Sequence, residues 1–551
     1  MLRENYSTWH CGKHELSLVR PRIMGVLNVT PDSFSDGGRY KTVDDAVAHA
    51  LDMLDAGADI IDVGGESTRP GFTPVSPEEE AARVVPVVRA LVAEGACVSI
   101  DTRHPEVARM CVRLGASIIN DVTGFTDPAM VEVAAGCDAG CIVMHAGEVA
   151  EHPHRITVTL DSSAEARERA ATAARDKGRD DDSAAQKDSA AQKDAAAQKD
   201  ADSVEKDLAA EKDAGADARP QSPAAGDALA LTMGRSSTRG VATPTVRLAG
   251  NRRFTLPESA PIMRQVMGFL GDQARTLMRA GVSRDRICVD PGPGFGKMAD
   301  EDVVIQRATA KMASMGYPVL CAVSRKRFVG AVSGTAQAAD RDPATAGVCL
   351  AAVSAGARVL RVHDVAGCAQ ALDGYWSIAH PDVRRAFVSL GSNVGDRIHY
   401  LERACELINA IPLTCVVQVS HAYETEPAYG IATPVANCVA EIQTELSPLV
   451  LLDALLGVED QLDRRRVPGE EGHGPRTIDC DLAWMEGESH AGRRLRLPHP
   501  GLGERDYVLV PMEDLMHDPV RFLQHAGVDV LAPEDRVGHV LSDLGEVAWQ
   551  C

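Results

Sequence analysis

Eight short apolar runs, at residues 23–29, 59–63, 97–100, 117–120, 141–144, 286–289, 318–323 and 358–362, alternate with amphipathic stretches such as 43–56, 77–93 and 105–114. Each intervening stretch is long enough to be the crossover helix that a pair of parallel strands requires. Runs that are apolar on both faces belong in a parallel sheet covered by helices, and eight consecutive βα units close such a sheet into a TIM-type (β/α)8 barrel. The pattern stops near residue 375 of a 551-residue chain, so at least one further unit follows. There the order changes to strand candidates at 386–390, 414–423, 435–444 and 479–484, with helices at 396–410 and 448–462 between them. That β-α-β-β-α-β order predicts a ferredoxin-like α+β domain. The expected division is a barrel at 1–378, a linker at 379–385 and the second domain at 386–551.

One tract fits neither unit. Residues 161–230 contain no Phe, Trp or Tyr and are dominated by Ala, Asp, Lys, Glu and Gln; residues 183–188 read SAAQKD, 189–194 repeat it, and 195–200 read AAAQKD. A six-residue period matches no helical repeat, and the tract buries too little apolar surface to offset ordering entropy. Residues 149–259 are therefore expected to be a mostly disordered insertion after the fifth barrel strand, where chain leaves the active-site face. The 57 Lys and Arg against 79 Asp and Glu give a formal charge of −22, which disfavours nucleic acid and anionic membrane as partners. Fourteen cysteines without a paired spacing, an N-terminus without a signal-peptide core and no apolar run of about 20 residues point to a cytoplasmic protein with reduced thiols.

In such a barrel the site forms at the C-terminal ends of the strands. All eight runs end in residues suited to one: Asn28 and Thr30; Glu66, Thr68 and Arg69; Asp101 and Thr102; Asn120 and Asp121; Met144 and His145; Asp290 and Lys297; Ser324, Arg325 and Lys326; Arg361 and His363. Any one could be a helix cap or turn former, but eight together form a constellation. Asn28, Arg69, Arg361 and His363 suit an anionic oxygen group, with or without a metal. Asp101, Asn120, Asp290 and Lys326 offer the donors and acceptors that recognise a heterocycle. In the second domain Asp479 and Asp481, two apart on a strand, share a face and can share a divalent cation. Arg464, Arg476, Arg494, Arg496, His499 and Arg505 accompany them, as a triphosphate site needs.

The segments 24–38 (MGVLNVTPDSFSDGG), 64–71 (GGESTRPG), 99–102 (SIDT), 120–124 (NDVTG), 290–297 (DPGPGFGK), 324–326 (SRK) and 361–365 (RVHDV) resemble dihydropteroate synthase over residues 20–375 apart from the insertion. The resemblance implies condensation of 6-hydroxymethyl-7,8-dihydropterin diphosphate with p-aminobenzoate, releasing pyrophosphate. It implies that Asp101, Asn120, Asp290 and Lys326 hold the pterin beside Met144, and that Asn28 binds Mg²⁺ and diphosphate. Arg69, Arg361 and His363 would contact the diphosphate, and Thr68, Pro70 and Ser324 would face p-aminobenzoate. It also implies a homodimer through the barrel helices. Pro293 stands where the family more often has an aliphatic or aromatic residue. The loops 30–40 and 67–77, rich in Gly, Pro and Ser, are expected to close over the site.

Residues 390–396 (LGSNVGD), 423–427 (YETEP), 474–481 (GPRTIDCD) and 497–499 (LPH) resemble 6-hydroxymethyl-7,8-dihydropterin pyrophosphokinase over residues 384–550. That resemblance implies transfer of the β,γ-diphosphate of ATP to the pterin alcohol, with Asp479 and Asp481 binding two Mg²⁺. Arg476, His499 and Arg505 would contact ATP or the migrating diphosphate, and Asn437 and Tyr507 the pterin. Val435 replaces the aromatic usual two residues before the pterin-contacting Asn, and His473 replaces the usual Trp before GPRT. Stacking adds about 0.5–1.5 kcal/mol beyond area, so weaker pterin binding is expected. The combined expectation is a bifunctional folate-pathway enzyme acting on small molecules. The alternatives are a non-catalytic regulatory or docking role for the second domain and a pterin-binding methyltransferase role for the barrel.

Overall fold

Near-continuous Val, Ile and Leu runs leave no polar face for water, and the chain buries them in a ring of parallel strands. A computed structural model describes residues 8–29, 42–66, 74–147, 261–429, 431, 433–465 and 474–549, and the backbone of 231–235, 242–248 and 252–255. An antiparallel hairpin, β1 (Thr8–Cys11) and β2 (His14–Ser17), opens the chain. Then come β3 (Arg22–Asn28), β4 (Ile60–Gly64), β5 (Cys97–Asp101), β6 (Ile118–Asp121) and β7 (Gly140–Met144). After these lie β8 (Leu231–Arg235), β9 (Ala242–Leu248) and β10 (Arg252–Thr255), followed by β11 (Ile287–Asp290), β12 (Leu320–Cys321) and β13 (Val359–Val362). The order β11-β7-β6-β5-β4-β3-β13-β12, with a parallel bridge from Val289 to Val319, closes an eight-stranded barrel. The run expected at 318–323 narrows to the two residues of β12, with Val319 making only an isolated bridge before it and a turn at Arg325, φ +57°, after it.

The register places the strand ends level. Asn28 pairs with Gly64, Gly64 with Asp101, Asp101 with Asn120, and Met144 with Asp290. Inside the opposite end, Met24, Ile60, Cys97, Ile118, Ile142, Cys288, Leu320 and Val359 form one buried cluster with Trp9, Cys11, Leu16 and Leu18. The hairpin is thus a plug under the barrel, pinned where the Trp9 indole N–H donates to the Arg286 carbonyl at 3.0 Å. The helices seal the outside: Pro77–Ala93 starts at Ser76, whose hydroxyl accepts the Glu79 N–H, and buries Val84, Val87, Val88 and Leu91. Each such side chain contributes about 1.5–3 kcal/mol.

The expected disorder of 149–259 is modified at one point: β8, β9 and β10 form a three-stranded antiparallel sheet. Residues 148–230, including the SAAQKD repeats, lie outside the described residues.

The last barrel helix, Val365–Ala379, is followed by β14 (Arg384–Ser392). Beyond it lie β15 (Thr414–Val419), β16 (Ala422–Thr425), β17 (Val435–Thr444), β18 (Asp479–Met485), the small hairpin of β19 (His490–Ala491) and β20 (Arg496–Leu497), and β21 (Val540–Gly545). The sheet runs β18-β14-β17-β16-β21, with β15 also pairing with β17. This is the ferredoxin-like arrangement with one added edge strand. The single strand expected at 414–423 is broken into β15 and β16 at Ser420, whose hydroxyl accepts the Val439 N–H at 2.9 Å. Helices Arg397–Asn409 and Pro448–Gln461 cover one sheet face. The other face, through Phe387, Val439 and Ala483, packs on Val508, Leu509, Met512 and Leu523 of two C-terminal helices that the β-α-β-β-α-β pattern does not contain.

The two domains meet at the N-terminal ends of the barrel strands. The Arg22 guanidinium donates to Asp59 at 3.0 Å and to Glu488 at 2.5 Å, and Arg384 pairs with the other Glu488 oxygen. Glu488 is only 5% exposed. Burial opposes its ionisation, but Arg22 and Arg384 outweigh that and hold its carboxyl below the usual range. Arg20 and Ser447 both reach Asp373 nearby.

Candidate active sites

Strand ends bring the barrel residues into one ring. Arg361, on β13, spans it: its Nε donates to Asp62 at 2.6 Å and its Nη2 to Asp101 at 2.7 Å. Asn120 donates to the same Asp62 carboxylate at 3.2 Å. Burial pushes the Asp101 carboxyl up to about 7, with Arg361 opposing and Asp62 adding to the shift. Asp290 is also raised by burial, and one of its oxygens accepts the Gly292 N–H at 2.7 Å. Lys326 donates to the Pro293 carbonyl at 2.5 Å and lies 4.7 Å from the Phe295 ring centre. Burial lowers its ammonium to about 8 despite the pull of Asp290.

The loop after β11 needs its glycines. At Gly292, φ +61°, a Cβ would stand 2.2 Å from the His145 carbonyl oxygen, and at Gly296, φ +64°, 2.0 Å from that of Gly147. Lys297 staples this close approach, donating to the carbonyls of His145, Gly292 and Phe295. Its role is therefore local architecture. Ser324, expected to face p-aminobenzoate, holds His363: its hydroxyl accepts the His363 backbone N–H at 3.1 Å and stands 2.9 Å from Nδ1. Asn28 ends β3 level with Gly64, and Met144 is buried beside Gly292. Thr30, Thr68, Arg69 and Pro70, and the loops 30–40 and most of 67–77, lie outside the described residues.

The second domain contains a cavity of about 810 Å³. Asn437, Arg464, Arg476, Asp479, Asp481, Arg494, Arg505 and Tyr507 line it, so most of the expected residues converge. Arg476 donates to Asp479 at 2.9 Å, and Arg464 bridges Asp479 and Glu459. Buried Glu459 also accepts the Cys480 N–H at 2.8 Å, which fixes the strand between the two aspartates. Burial, then the charge of Asp479, push Asp481 up to about 7. The Arg505 guanidinium lies 5.4 and 5.6 Å from the rings of Tyr429 and Tyr507. Asn437 donates to Thr425 at 2.7 Å and lies against Gly391, where a Cβ would meet its oxygen at 2.8 Å. Val435 lines the cavity, and His473 lies outside the described residues.

Two of the expected residues lie outside the main cavity. His499 borders a small adjoining space with Ser389, Asp481 and Arg505 rather than the main cavity, and burial, then Arg505, lower its imidazole to about 4. Arg496 is turned away altogether and pairs with Glu94 of the barrel at 2.8 Å. Alternation along β20 separates it from the cavity.

Residues 24–194 and 249–363 match the family profile described as Pterin binding enzyme, more than half of the chain. The dihydropteroate synthase of Staphylococcus haemolyticus is 31% identical over 350 residues, 63% of this chain and 91% of that protein. Those of Neisseria meningitidis serogroup C and Mycobacterium leprae are 30% and 32% identical, each over 67% of this chain and over 96% and 98% of their own length. The chain belongs to the dihydropteroate synthase family. Residues 387–517 match the profile of 7,8-dihydro-6-hydroxymethylpterin-pyrophosphokinase. The chain is thus a bifunctional folate-biosynthesis enzyme, both a dihydropteroate synthase and a pyrophosphokinase that uses ATP as co-substrate.

Sequence reasoning missed Asp62, Glu459 and Tyr429. Asp62 had a visible signal, a carboxylate inside the apolar strand IIDVG. Glu459 had a fainter one, an acid on the buried side of an apolar helix. Tyr429 had none, since a loop aromatic is ordinary.

Proposed function

We propose that residues 386–551 convert 6-hydroxymethyl-7,8-dihydropterin and ATP to the pterin diphosphate and AMP, and that residues 1–378 condense this product with p-aminobenzoate. Residues 379–385 join them. The observation that carries this reading is the convergence of Arg476, Arg505, Asp479 and Asp481 on one cavity in the same chain as the Arg361 ring. In the first step the pterin hydroxyl oxygen bonds to the β-phosphorus, the α-oxygen to β-phosphorus bond breaks, and the hydroxyl proton is lost. Asn437 and Tyr507 orient the pterin; Arg476 and Arg505 offset the charge of the moving diphosphate, and His499 contacts it as a neutral imidazole.

In the second step the methylene carbon–oxygen bond breaks, the amine nitrogen bonds to that carbon, and the amine gives up a proton. Asp101, Asn120, Asp290 and Lys326 hold the pterin with Met144 packed beside it. The Asp101 carboxylate favours the electron-poor methylene, while Arg361, His363 and Arg69 favour departure of pyrophosphate. Thr68, Pro70 and Ser324 frame the p-aminobenzoate side.

Mg²⁺ suits the carboxylate pair of the second domain. The ion is commonly held by one or two carboxylates with substrate phosphates supplying further oxygens, which fits the Asp479–Asp481 pair, where burial and then the charge of Asp479 raise Asp481. Asn28 would hold it in the barrel. When bound, the ion supplies charge neutralisation on phosphate oxygens. The family resemblance supports a homodimer through the barrel helices, and the acidic charge and buried thiols support a cytoplasmic protein without nucleic-acid or membrane partners. Among the described residues no helix is long and apolar enough to cross a membrane.

The test supplies hydroxymethyldihydropterin, ATP, Mg²⁺ and p-aminobenzoate to the full chain. AMP and dihydropteroate together are expected. Dihydropteroate formed only from preformed pterin diphosphate would overturn the first step.

A further inference from the structure

The hairpin of β19 and β20 belongs to two surfaces at once. Arg494 lines the cavity, and its guanidinium reaches Asp453 on helix Pro448–Gln461. Its backbone N–H, however, points the other way and donates to Asp55 of the barrel at 2.9 Å. The second Asp55 oxygen accepts Arg493 Nε at 2.8 Å, and Asp52 accepts Arg493 Nη2 at 2.5 Å. Asp55 is therefore a two-armed acceptor from two consecutive residues of the other domain. Its side chain is 12% exposed, against 63% for Asp52, so its bonds are the better shielded from water.

The fit around that carboxylate is close. At Gly492 a Cβ would stand 2.7 Å from the Asp55 oxygen and 3.1 Å from His490 Nε2, so the hairpin approaches the barrel helix at a residue without a side chain. Arg496 on the same hairpin pairs with Glu94, and Glu488 just before it sits buried between Arg22 and Arg384. Every barrel partner is at the lower end: Asp52 and Asp55 in the last turn of helix Val43–Asp55, Glu94 after helix Pro77–Ala93, and Arg22 at the start of β3. These carboxylates are far from the strand-end ring and have no part in its chemistry.

We propose that Asp55 is a positioning residue for the pyrophosphokinase: from the base of the barrel it holds the hairpin that presents Arg494 to the nucleotide cavity. The cavity wall is then completed by the other enzyme of the chain. A short hairpin of two-residue strands has little stability of its own, so an external acceptor decides where its tip lies. Loss of that acceptor leaves the Arg494 side chain present but spread over more positions, which weakens ground-state binding of a triphosphate more than the rate of the bound complex. This inference rests on the reading of the cavity as the ATP site.

The experiment uses the full chain with Asp55→Ala, Asp55→Asn and Arg493→Ala. It measures ATP dissociation constants by calorimetry with Mg²⁺ present, KM for ATP and kcat of AMP formation, and dihydropteroate formation from preformed pterin diphosphate. Asp55→Ala is expected to weaken ATP binding and raise its KM roughly 5-fold, about 1 kcal/mol. Its kcat and its dihydropteroate formation should stay within about twofold. Asp55→Asn, which keeps an oxygen for the Arg494 N–H, should give a smaller effect. Arg493→Ala, at a half-exposed side chain, should raise the ATP KM without adding to Asp55→Ala in the double variant. ATP binding that is unchanged in both Ala variants would overturn the inference while leaving the two activities assigned as above. Absence of ATP binding by the unsubstituted chain would overturn the reading of the cavity and this inference with it.

Discussion

The barrel ring and the second-domain cavity both gather arginines and aspartates, but they are built in opposite ways. In the barrel Asp101, Asn120 and Asp290 sit on strand ends, and one guanidinium ties Asp101 to Asp62, two residues before the end of β4. The scaffold that holds them is backbone pairing on both sides of each strand. The cavity instead borrows from a strand, a helix, a loop and a hairpin, and the hairpin is itself held by the barrel. A site on a closed sheet is sensitive mainly to its own residues. A site assembled from separate elements is also sensitive to what holds those elements in place.

Single changes in the ring should have the largest effect. Lys326→Ala removes a half-buried cation from the pterin side and is expected to lower dihydropteroate formation by about 100- to 1000-fold, with AMP formation unchanged. Equal losses in both assays would show that the ring is not self-contained. In the cavity Arg476→Ala should lower AMP formation about 100-fold and leave dihydropteroate formation from preformed diphosphate intact. A fall in both would again break the contrast.

The domain contact comes next. Glu488→Gln leaves two buried arginines facing a neutral amide and should destabilise the chain by about 3 kcal/mol. Calorimetry should show an earlier transition, or two where the parent has one; an unchanged trace would mean that the domains are not held by this carboxylate.

The pH profile sharpens the ring. Asp101 is charged above about 7 and Lys326 keeps its proton below about 8, so the state with both charges is most populated between those values. Activity divided by KM for dihydropteroate formation should therefore be bell-shaped, with its maximum there, and the limbs belong to the coupled ring rather than to either residue alone. Lys326→Arg should move the alkaline limb upward. Smallest of all, deleting residues 161–230 should leave both Michaelis constants within about twofold, since the entropic expense of closing a loop grows only slowly with its length.

Much of this contrast was legible beforehand, and unevenly. Strand positions in the barrel follow from apolar runs because a strand buried on both faces has no other composition available. The strand-end residues follow from topology, since each run ends where the ring must form. Asp62 escaped because it sits one turn of the pleat deeper, where the pattern promises only core. In the second domain Asp479 and Asp481 were readable from their spacing, but the direction of Arg496 was not. Six basic residues near a phosphate site look alike in a sequence; only the hairpin turns Arg494 inward and Arg496 toward Glu94. The two C-terminal helices on the far sheet face also had no signal, because a β-α-β-β-α-β order says nothing about what covers the remaining face.

The plugged base of the barrel has a consequence for traffic. Docking the second domain beneath the plug leaves the mouth at the other end of the strands, so the two enzymes share a chain without sharing a doorway. On the proposed function, the pterin diphosphate made in one domain is expected to pass through solvent before the other accepts it. A neighbouring chain in solution is then as eligible a recipient as its own: mixing an Asp101→Asn chain with an Arg476→Ala chain should restore dihydropteroate synthesis from the pterin alcohol, and an added pool of unlabelled diphosphate should dilute a label carried by that alcohol.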